Sequence, residues 1–478
     1  MKTIPLLILV SALLAMPVIM SAAARSPAPS VFVVNSPGDH DDGSCDGSDC
    51  TLREALIASN NNPGPDTIRF NIAGAGTHTI SPKAELPEVT DAVTIDGSSQ
   101  AGFSGLPLIE IVGTGILPGR GLIISAGGST VRSLAINRFS SAQVLLKSGG
   151  GNVLQGNRLG TDPTGTMDYR EEIHARYSFG LIVEGSNSNL IGGPDRKAGN
   201  IIAFNTSAGI LVTDLQGGGV ENAILSNSIH SNGGIGIDLS GLSQAEPIRA
   251  GFPLGVTAND GCDGDGGPNR LQNFPELNLA RTNGVAITIR GEITTARDTT
   301  YTIQFFSNDE FDLTGFGEGR TYLGSTTATT DQIEHECIAE YEATLPFFAY
   351  TGQVITATAT DPLGNTSEFS RYLEIVQDST FDSCVQDDSS GSVFLFDSNS
   401  GEYQFSNCDG FLLSGTGTMT RKGGVITLQH NASDRRIMAR LDSAVKRGTA
   451  WIQSFAEGAG FGIVDKNTGD NTCACGER

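Results

Sequence analysis

A glycine followed by three aliphatic residues recurs through the middle of this chain, at Gly121-Leu122-Ile123-Ile124, Gly180-Leu181-Ile182-Val183 and Gly209-Ile210-Leu211-Val212, with a looser copy at Gly236-Ile237-Asp238-Leu239. The last two intervals are 29 and 27 residues. Asparagines recur beside the aliphatics, at Asn152 and Asn157, Asn200 and Asn205, and Asn222 and Asn227; Asn200 and Asn227 are again 27 residues apart. A fixed period in the twenties marks a repeat architecture, which restricts the fold more than any single motif does. Apolar runs of three or four residues fit three short strands per repeat, one coil of a parallel β-solenoid. Stacked coils bring equivalent side chains into ladders ~4.8 Å apart. Aliphatics fill the interior, Gly turns the corners and Asn extends an amide ladder at a bend. A leucine-rich repeat would need regularly placed Leu and a helical segment in each unit, and neither is present. A propeller would need longer blades and more aromatics than the 6% here.

Composition removes other classes. Gly makes up 61 of 478 residues without a Gly-X-Y period, so the chain is not collagen-like. Charged residues, at 17%, are too few for a coiled coil, while 38% apolar residues suffice for a sizeable core. The balance of 30 Lys+Arg against 53 Asp+Glu leaves a formal charge of −23, which speaks against a nucleic-acid partner or an anionic lipid surface. At the N-terminus, Lys2, the apolar run Leu6 to Met16 and Ala22-Ala23-Ala24 read as a secretory signal peptide over residues 1–24. Pro5 and Pro17 interrupt that run, which is short for a membrane anchor. The expected product is secreted or surface-exposed, with no membrane span after cleavage.

Residues 25–256 then read as an N-terminal cap and the solenoid. Val31 to Val34 is a β-branched strand, followed by an acidic loop, Asp39 to Asp49. Thr51 and Glu54 form a capping box, and Leu52, Ala55 and Leu56 share one face of the short helix it opens. That helix is placed to cover the exposed strand edges at the first coil. Past residue 256 the pattern becomes apolar–polar alternation, as in Val285 to Ile289, Tyr301 to Phe305 and Ile355 to Thr360, which predicts an antiparallel sandwich over 257–378. Hairpins around Asn399-Ser400-Gly401 and Lys422-Gly423-Gly424 predict a small β domain over 379–478.

An even count of eight cysteines in an exported chain favours disulfides; zinc is the rival, but no His stands at ligand spacing. Cys45 and Cys50 bracket a loop short enough to staple locally, pinning the helix. Cys384, Cys408, Cys473 and Cys475 are expected to pair among themselves. Their pattern stays open, as does the pairing of Cys262 and Cys337.

The segment Cys45…Cys50-Thr51-Leu52-Arg53-Glu54-Ala55 resembles the signature of CSLREA-domain proteins, exported bacterial chains, with Cys-Thr in place of Cys-Ser. Asn157-Arg158-Leu159-Gly160-Thr161-Asp162 and Gly199-Asn200-Ile201-Ile202 are similar to the right-handed parallel β-helix repeats that follow it in such proteins. Leu271-Gln272-Asn273-Phe274-Pro275 and Ala359 to Ser367 are similar to a bacterial Ig-like module. The resemblance covers about residues 31–375 and implies a pectate-lyase-like fold and a cell-surface location, without an established activity. The expected fold class is therefore all-β: a right-handed parallel β-helix, an Ig-like β-sandwich and a small C-terminal disulfide-braced β domain.

Catalytic chemistry is thinly represented. A glycoside hydrolase needs two carboxylates ~5–9.5 Å apart across the sugar, yet Glu184, Asp214 and Asp238 are scattered over the repeats. Of the polygalacturonase elements only an Asp-Asp pair occurs, as in Asp41-Asp42 outside the repeats. The insert Thr161 to Ser178 carries Asp162, Asp168, Glu171, Glu172, His174 and Arg176, which makes it the place for a lyase or hydrolase site or, alternatively, a solvated loop. Asp260, Asp263, Asp265 and Asn269 alternate with Gly in a loop suited to Ca²⁺, although the EF-hand Glu is missing. The rival reading is a solvated Asp-Gly linker, and the Asp39 to Asp49 loop is a weaker calcium candidate. The function that follows is a non-catalytic exported protein presenting a binding or adhesive face to polysaccharide or another cell-surface ligand. The alternative is a polysaccharide lyase or glycoside hydrolase acting through the 161–178 insert.

Overall fold

The computed structural model describes residues 28–116, 119–173, 177–214, 217–240, 255–312, 314–331, 337–347 and 352–377, and beyond these the backbone of eight strands between Ser383 and Asp465. Residues 1–24, the segment read from the sequence as a signal peptide, lie outside them. Among the described residues the protein is all-β apart from one ten-residue helix and short 3₁₀ turns. Among the described residues no helix is long and apolar enough to cross a membrane.

Three parallel sheets dominate residues 31–240. Sheet A contains Val31–Val34, Asp66–Phe70, Val93–Asp96, Thr130–Arg132, Val153–Gln155, Leu190–Gly192 and Ala223–Leu225. Sheet B runs from His78–Ile80 through Ile109–Val112, Leu134–Asn137, Arg158–Leu159 and Ile201–Ala203 to Ser228–His230. Sheet C holds Arg120–Ile124, Ala142–Lys147, Phe179–Glu184, Ile210–Thr213 and Ile237–Ser240. From Val93 onward the chain visits A, B and C in that order, circuit after circuit. The registers stack like on like. Ile95, Val131, Leu154, Ile191 and Ile224 are successive partners in A; Ile111, Ile136, Leu159, Ile202 and Ile229 are in B. Leu122, Val144, Leu181, Ile210 and Ile237 do the same in C. All belong to one buried core. Burying an aliphatic side chain stabilises by about 1.5–3 kcal/mol, so each circuit adds several such contributions through three short strands.

The corners explain the asparagines. Asn200 Nδ2 donates to Asn227 Oδ1 at 2.9 Å, and Asn157 Nδ2 to Asn200 Oδ1 at 3.0 Å. A second amide row runs Asn152–Asn189–Asn222, and a third joins Asn205 to Asn232. These amides satisfy backbone groups that the bends remove from the sheets. The motif glycines do something other than turn corners. A Cβ on Gly180 would lie 2.3 Å from Ile202 Cγ2, and one on Gly209 2.7 Å from Ile229 Cγ2, so they permit close approach between sheets C and B. The left-handed turns from A into B are made by Ser133, Gly156 and Ser226.

Both ends of the stack are covered. Helix Leu52–Asn61 has the predicted capping box at Thr51 and Glu54, and buries Leu52, Ala55 and Leu56 in the same core. Cys45 and Cys50 are disulfide-bonded directly before it. At the other end, side chains from residues 269–368 accept the free N–H groups of the last circuit. Asn365 Oδ1 accepts from Glu221 at 2.7 Å, Asn269 Oδ1 from Asn222 at 2.9 Å and Thr366 Oγ1 from Ile224 at 2.9 Å. Gln304 Oε1 takes Ser226, Glu318 Oε1 takes Asn232 and Glu368 Oε1 takes Leu239, all at 2.9–3.0 Å. An unpaired sheet edge templates association; here polar side chains close it.

Gln304 lies in one of two facing four-stranded sheets, and the other side chains stand on the turns and loops that flank their strands. One orders Ile338–Leu345, Ile287–Thr294, Glu276–Thr282 and Val376–Gln377; the other orders Thr321–Thr329, Thr300–Asn308, Val354–Thr360 and Leu373–Glu374. Pairing is antiparallel except for Glu276–Thr282 with Val376–Gln377, where the chain returns to the sheet parallel to its first strand. Cys262 and Cys337 form a disulfide, a pairing the sequence left open. The eight strands from Ser383–Gln386 to Ala456–Asp465 close into an antiparallel barrel. The cysteine side chains expected to brace it (Cys384, Cys408, Cys473 and Cys475) lie outside the described residues.

Candidate functional site

Three places carry the chemistry-bearing side chains. The first is the loop that leads into the two facing sheets. Cys262 and Asp263 are both left-handed, with φ of 65° and 53°, and the Cys262–Cys337 bridge ties this bend to the start of the strand Ile338–Leu345. Amide pairs between Asn259 and Phe274, and between Asp260 and Asn273, close the loop's base. The bend gathers Asp260, Asp263 and Asp265 so that one carboxylate oxygen of each lies within 4.8 Å of the others. Asp263 accepts from the Asn273 N–H at 3.0 Å and from Thr295 Oγ1 at 2.9 Å. Burial nevertheless raises its pKa, the neighbouring carboxylates add to the rise, and it reaches about 6. Burial and Asp260 raise Asp265 as well. Such crowding favours a hard dication among the oxygens. Asn269 stands apart: its Oδ1 accepts from Asn222 and its Nδ2 donates to the Asn222 and Thr366 carbonyls, so it extends an amide row.

The second place is the insert after Leu159. Asp162 organises its turn, accepting from Thr164, Thr166 and Met167 backbone N–H groups and from Thr164 Oγ1. Burial pulls its pKa up, but these bonds outweigh burial and hold it at about 2. Asp168 pairs with Arg170 at 2.6 Å, and Glu172 with Arg138 at 2.8 Å. Arg138 also lies 3.6 Å from the Tyr169 ring centroid. The carboxylates named here are thus held by turn or ion-pair contacts; His174 and Arg176 lie outside the described residues.

The third place was not foreseen. An open groove of about 760 Å³ follows the edge where sheet A turns into sheet B. Each circuit contributes its corner: Ser98, then Arg132 and Ser133, then Gln155 and Arg158, then Arg196 and Lys197, then Ser226 and Ser228. Arg320 and Tyr322, at the start of a sandwich strand, close the far end. Arg132 makes a bidentate pair with its register neighbour Asp96 at 2.9 and 2.7 Å. Arg196 donates to the Tyr322 carbonyl and stands 5.6 Å from its ring centroid. Successive corners place Arg132, Arg158 and Arg196 26 and 38 residues apart within the repeats, so only the register unites them. The sequence signal that could have found them was Arg or Lys beside the asparagine corners of an acidic chain.

Among known proteins, no family model matches the sequence and no curated protein is significantly similar to it.

Proposed function

We propose that this is an exported, non-catalytic protein that presents a binding face to polysaccharide, and that the face is the groove along the edge of sheets A and B. The observation that carries this reading is the groove's construction: side chains from successive strand corners, fixed by the stacked registers, line an open channel that lies along the stack. An extended polymer suits such a channel, and rigid corners bind without an ordering cost. Behind it stands our reading of the fold. The repeated A–B–C order supports a right-handed parallel β-helix of pectate-lyase-like type over 25–256. The facing sheets support an Ig-like sandwich over 257–378, and the closed eight-stranded barrel supports a separate β domain within 379–478, whose disulfide bracing we infer from its four cysteines alone. The CSLREA reading is supported by the Cys45–Cys50 bridge, the Thr51 cap and the buried Leu52 and Ala55. Calcium held by Asp260, Asp263 and Asp265 would neutralise their repulsion and set the hinge between helix and sandwich.

The test is retention of the purified chain on immobilised polysaccharides, run beside assays for reducing ends and unsaturated uronates. Retention without product release is expected. Turnover of any retained glycan would overturn the non-catalytic reading and return attention to the insert.

A further inference from the structure

The groove's charge is opposite to that of the molecule. In a chain of 30 Lys+Arg and 53 Asp+Glu, its lining collects Arg132, Arg158, Arg196, Lys197 and Arg320 and contains no Asp or Glu. Two of these are engaged by carboxylates, Arg132 by Asp96 and Arg320 by Asp309 at 2.9 Å. Among the described residues no salt bridge reaches Arg158, Arg196 or Lys197. Arg158 is the most telling. It is half-buried, its Nε is enclosed without a hydrogen-bond partner, and its Nη1 reaches only the Gly156 and Asn157 carbonyls at 3.4 and 3.3 Å. Burial holds its pKa below the usual guanidinium value, although Asp162 opposes this. A half-buried guanidinium with no ion-pair partner gains strongly when an anion arrives. Nearby carboxylates are already committed: Asp96 to Arg132, Asp162 to its own turn and Asp195 to the Lys197 N–H.

We propose that this groove binds an anionic glycan, a sugar chain carrying one carboxylate or sulfate at intervals, with Arg158 and Lys197 as its main anchors. This rests on the glycan-binding reading and names the ligand's class. Spacing favours a sugar chain over a nucleic acid. Three successive circuits, stacked at ~4.8 Å, contribute Arg132, then Arg158, then Arg196 with Lys197, while the circuits on either side contribute serines; duplex DNA carries a charge every ~1.7 Å and demands a denser basic face. Base stacking needs free aromatic faces; Tyr322 is already covered by Arg196, and Phe103 lies at the opposite end of the groove. Ser133 and Gln155 add groups that can meet sugar hydroxyls between the cations.

Calorimetric titration of the full chain, with chelator in every solution so that metal at the acidic loop cannot bridge, would compare four probes: hexagalacturonate, its methyl ester, a sulfated glucan oligomer and an oligothymidylate. We expect hexagalacturonate or the sulfated oligomer to bind, with affinity that falls as salt rises, and the methyl ester to bind at least about tenfold more weakly. Arg158→Gln with Lys197→Gln should weaken the anionic glycan about tenfold or more. Because Arg158 is half-buried, Lys197→Gln alone, at an exposed position, serves as the variant whose folding is not in question, with a loss of several-fold. Equal binding of acid and ester, or no loss in either variant, would overturn the inference while leaving glycan binding standing. Binding to neutral glycans only would do the same. No binding to any glycan would sink both readings, and tighter binding of the oligothymidylate would replace the ligand class with nucleic acid.

Discussion

The residues most exposed to solution conditions are the buried acids that close the last circuit. Glu318 accepts from the Asn232 N–H and Nδ2, and burial raises its pKa to about 7. Glu368 accepts from Leu239 and Thr257 N–H groups, and burial raises it to about 8. Asp238, buried with one oxygen unpartnered, is raised to about 7. In each the folded pKa exceeds the unfolded one, so the folded state holds more protons between the two values. Their contribution therefore favours folding less as pH rises from about 4.5 to about 8. Gln at 318 or 368 keeps an acceptor oxygen and removes the ionisation. Denaturant melts at about pH 4.5 and about pH 8.5 should show Glu318→Gln and Glu368→Gln gaining stability over the wild type only at the higher pH. A difference that does not change with pH would show that these carboxylates ionise as freely as in the unfolded chain.

At the scale of elements, legibility followed sequence distance. The capping box was readable because Thr51 and Glu54 are three residues apart and act on each other directly. The amide rows were readable because the 27-residue recurrence of Asn200 and Asn227 is also their stacking partnership. The groove was not, because Arg132, Arg158 and Lys197 meet only through strand registers that no local pattern states. Asn269 misled for a related reason: its neighbours in sequence are acidic, while its partners, Asn222 and Thr366, are distant. The acidic loop remains the element whose behaviour is most readily tested. Its base is fixed by the Cys262–Cys337 bridge and the Asn259 pairs, leaving the carboxylates crowded at the bend. A ligand at 100 times its dissociation constant stabilises by about 2.7 kcal/mol. Calcium should thus suppress limited proteolysis between Gly261 and Gly267, chelator should restore it, and Asp263→Ala should be cut alike in both. Equal cleavage of the wild type with and without calcium would make the loop a plain linker.

On the scale of the whole molecule, the helix, the parallel sheets and part of the sandwich share one hydrophobic core, which runs from Leu52 and Leu56 through the stacked aliphatics to Phe306 and Phe369. Phe369 is the wedge at the junction. It is buried, packs edge-on to Phe306 at 5.3 Å between centroids, and sits so close to Gly236 and Gly319 that a Cβ on either would lie 2.8 or 2.5 Å from its ring. Around it lie the bonds from Gly319, Glu318 and Glu368 that close the strand edges of the last circuit. Losing the ring should therefore cost more than its own cavity, because the cap and the edge it covers loosen together. Phe369→Ala should destabilise by at least as much as an ordinary buried Phe→Ala change, about 3–5 kcal/mol, whereas Phe369→Leu, which keeps most of the volume, should cost about 1.5 kcal/mol or less. Freed edges pair with other chains, so Phe369→Ala should also form soluble aggregates in size-exclusion chromatography at denaturant concentrations where the wild type stays monodisperse. If the parallel sheets and the sandwich are thermodynamically separate, Phe369→Ala will instead split the unfolding curve, shifting the sandwich transition and leaving that of the parallel sheets unchanged. That split would refute the single shared core, and with it the account of the sandwich as the stack's end cap.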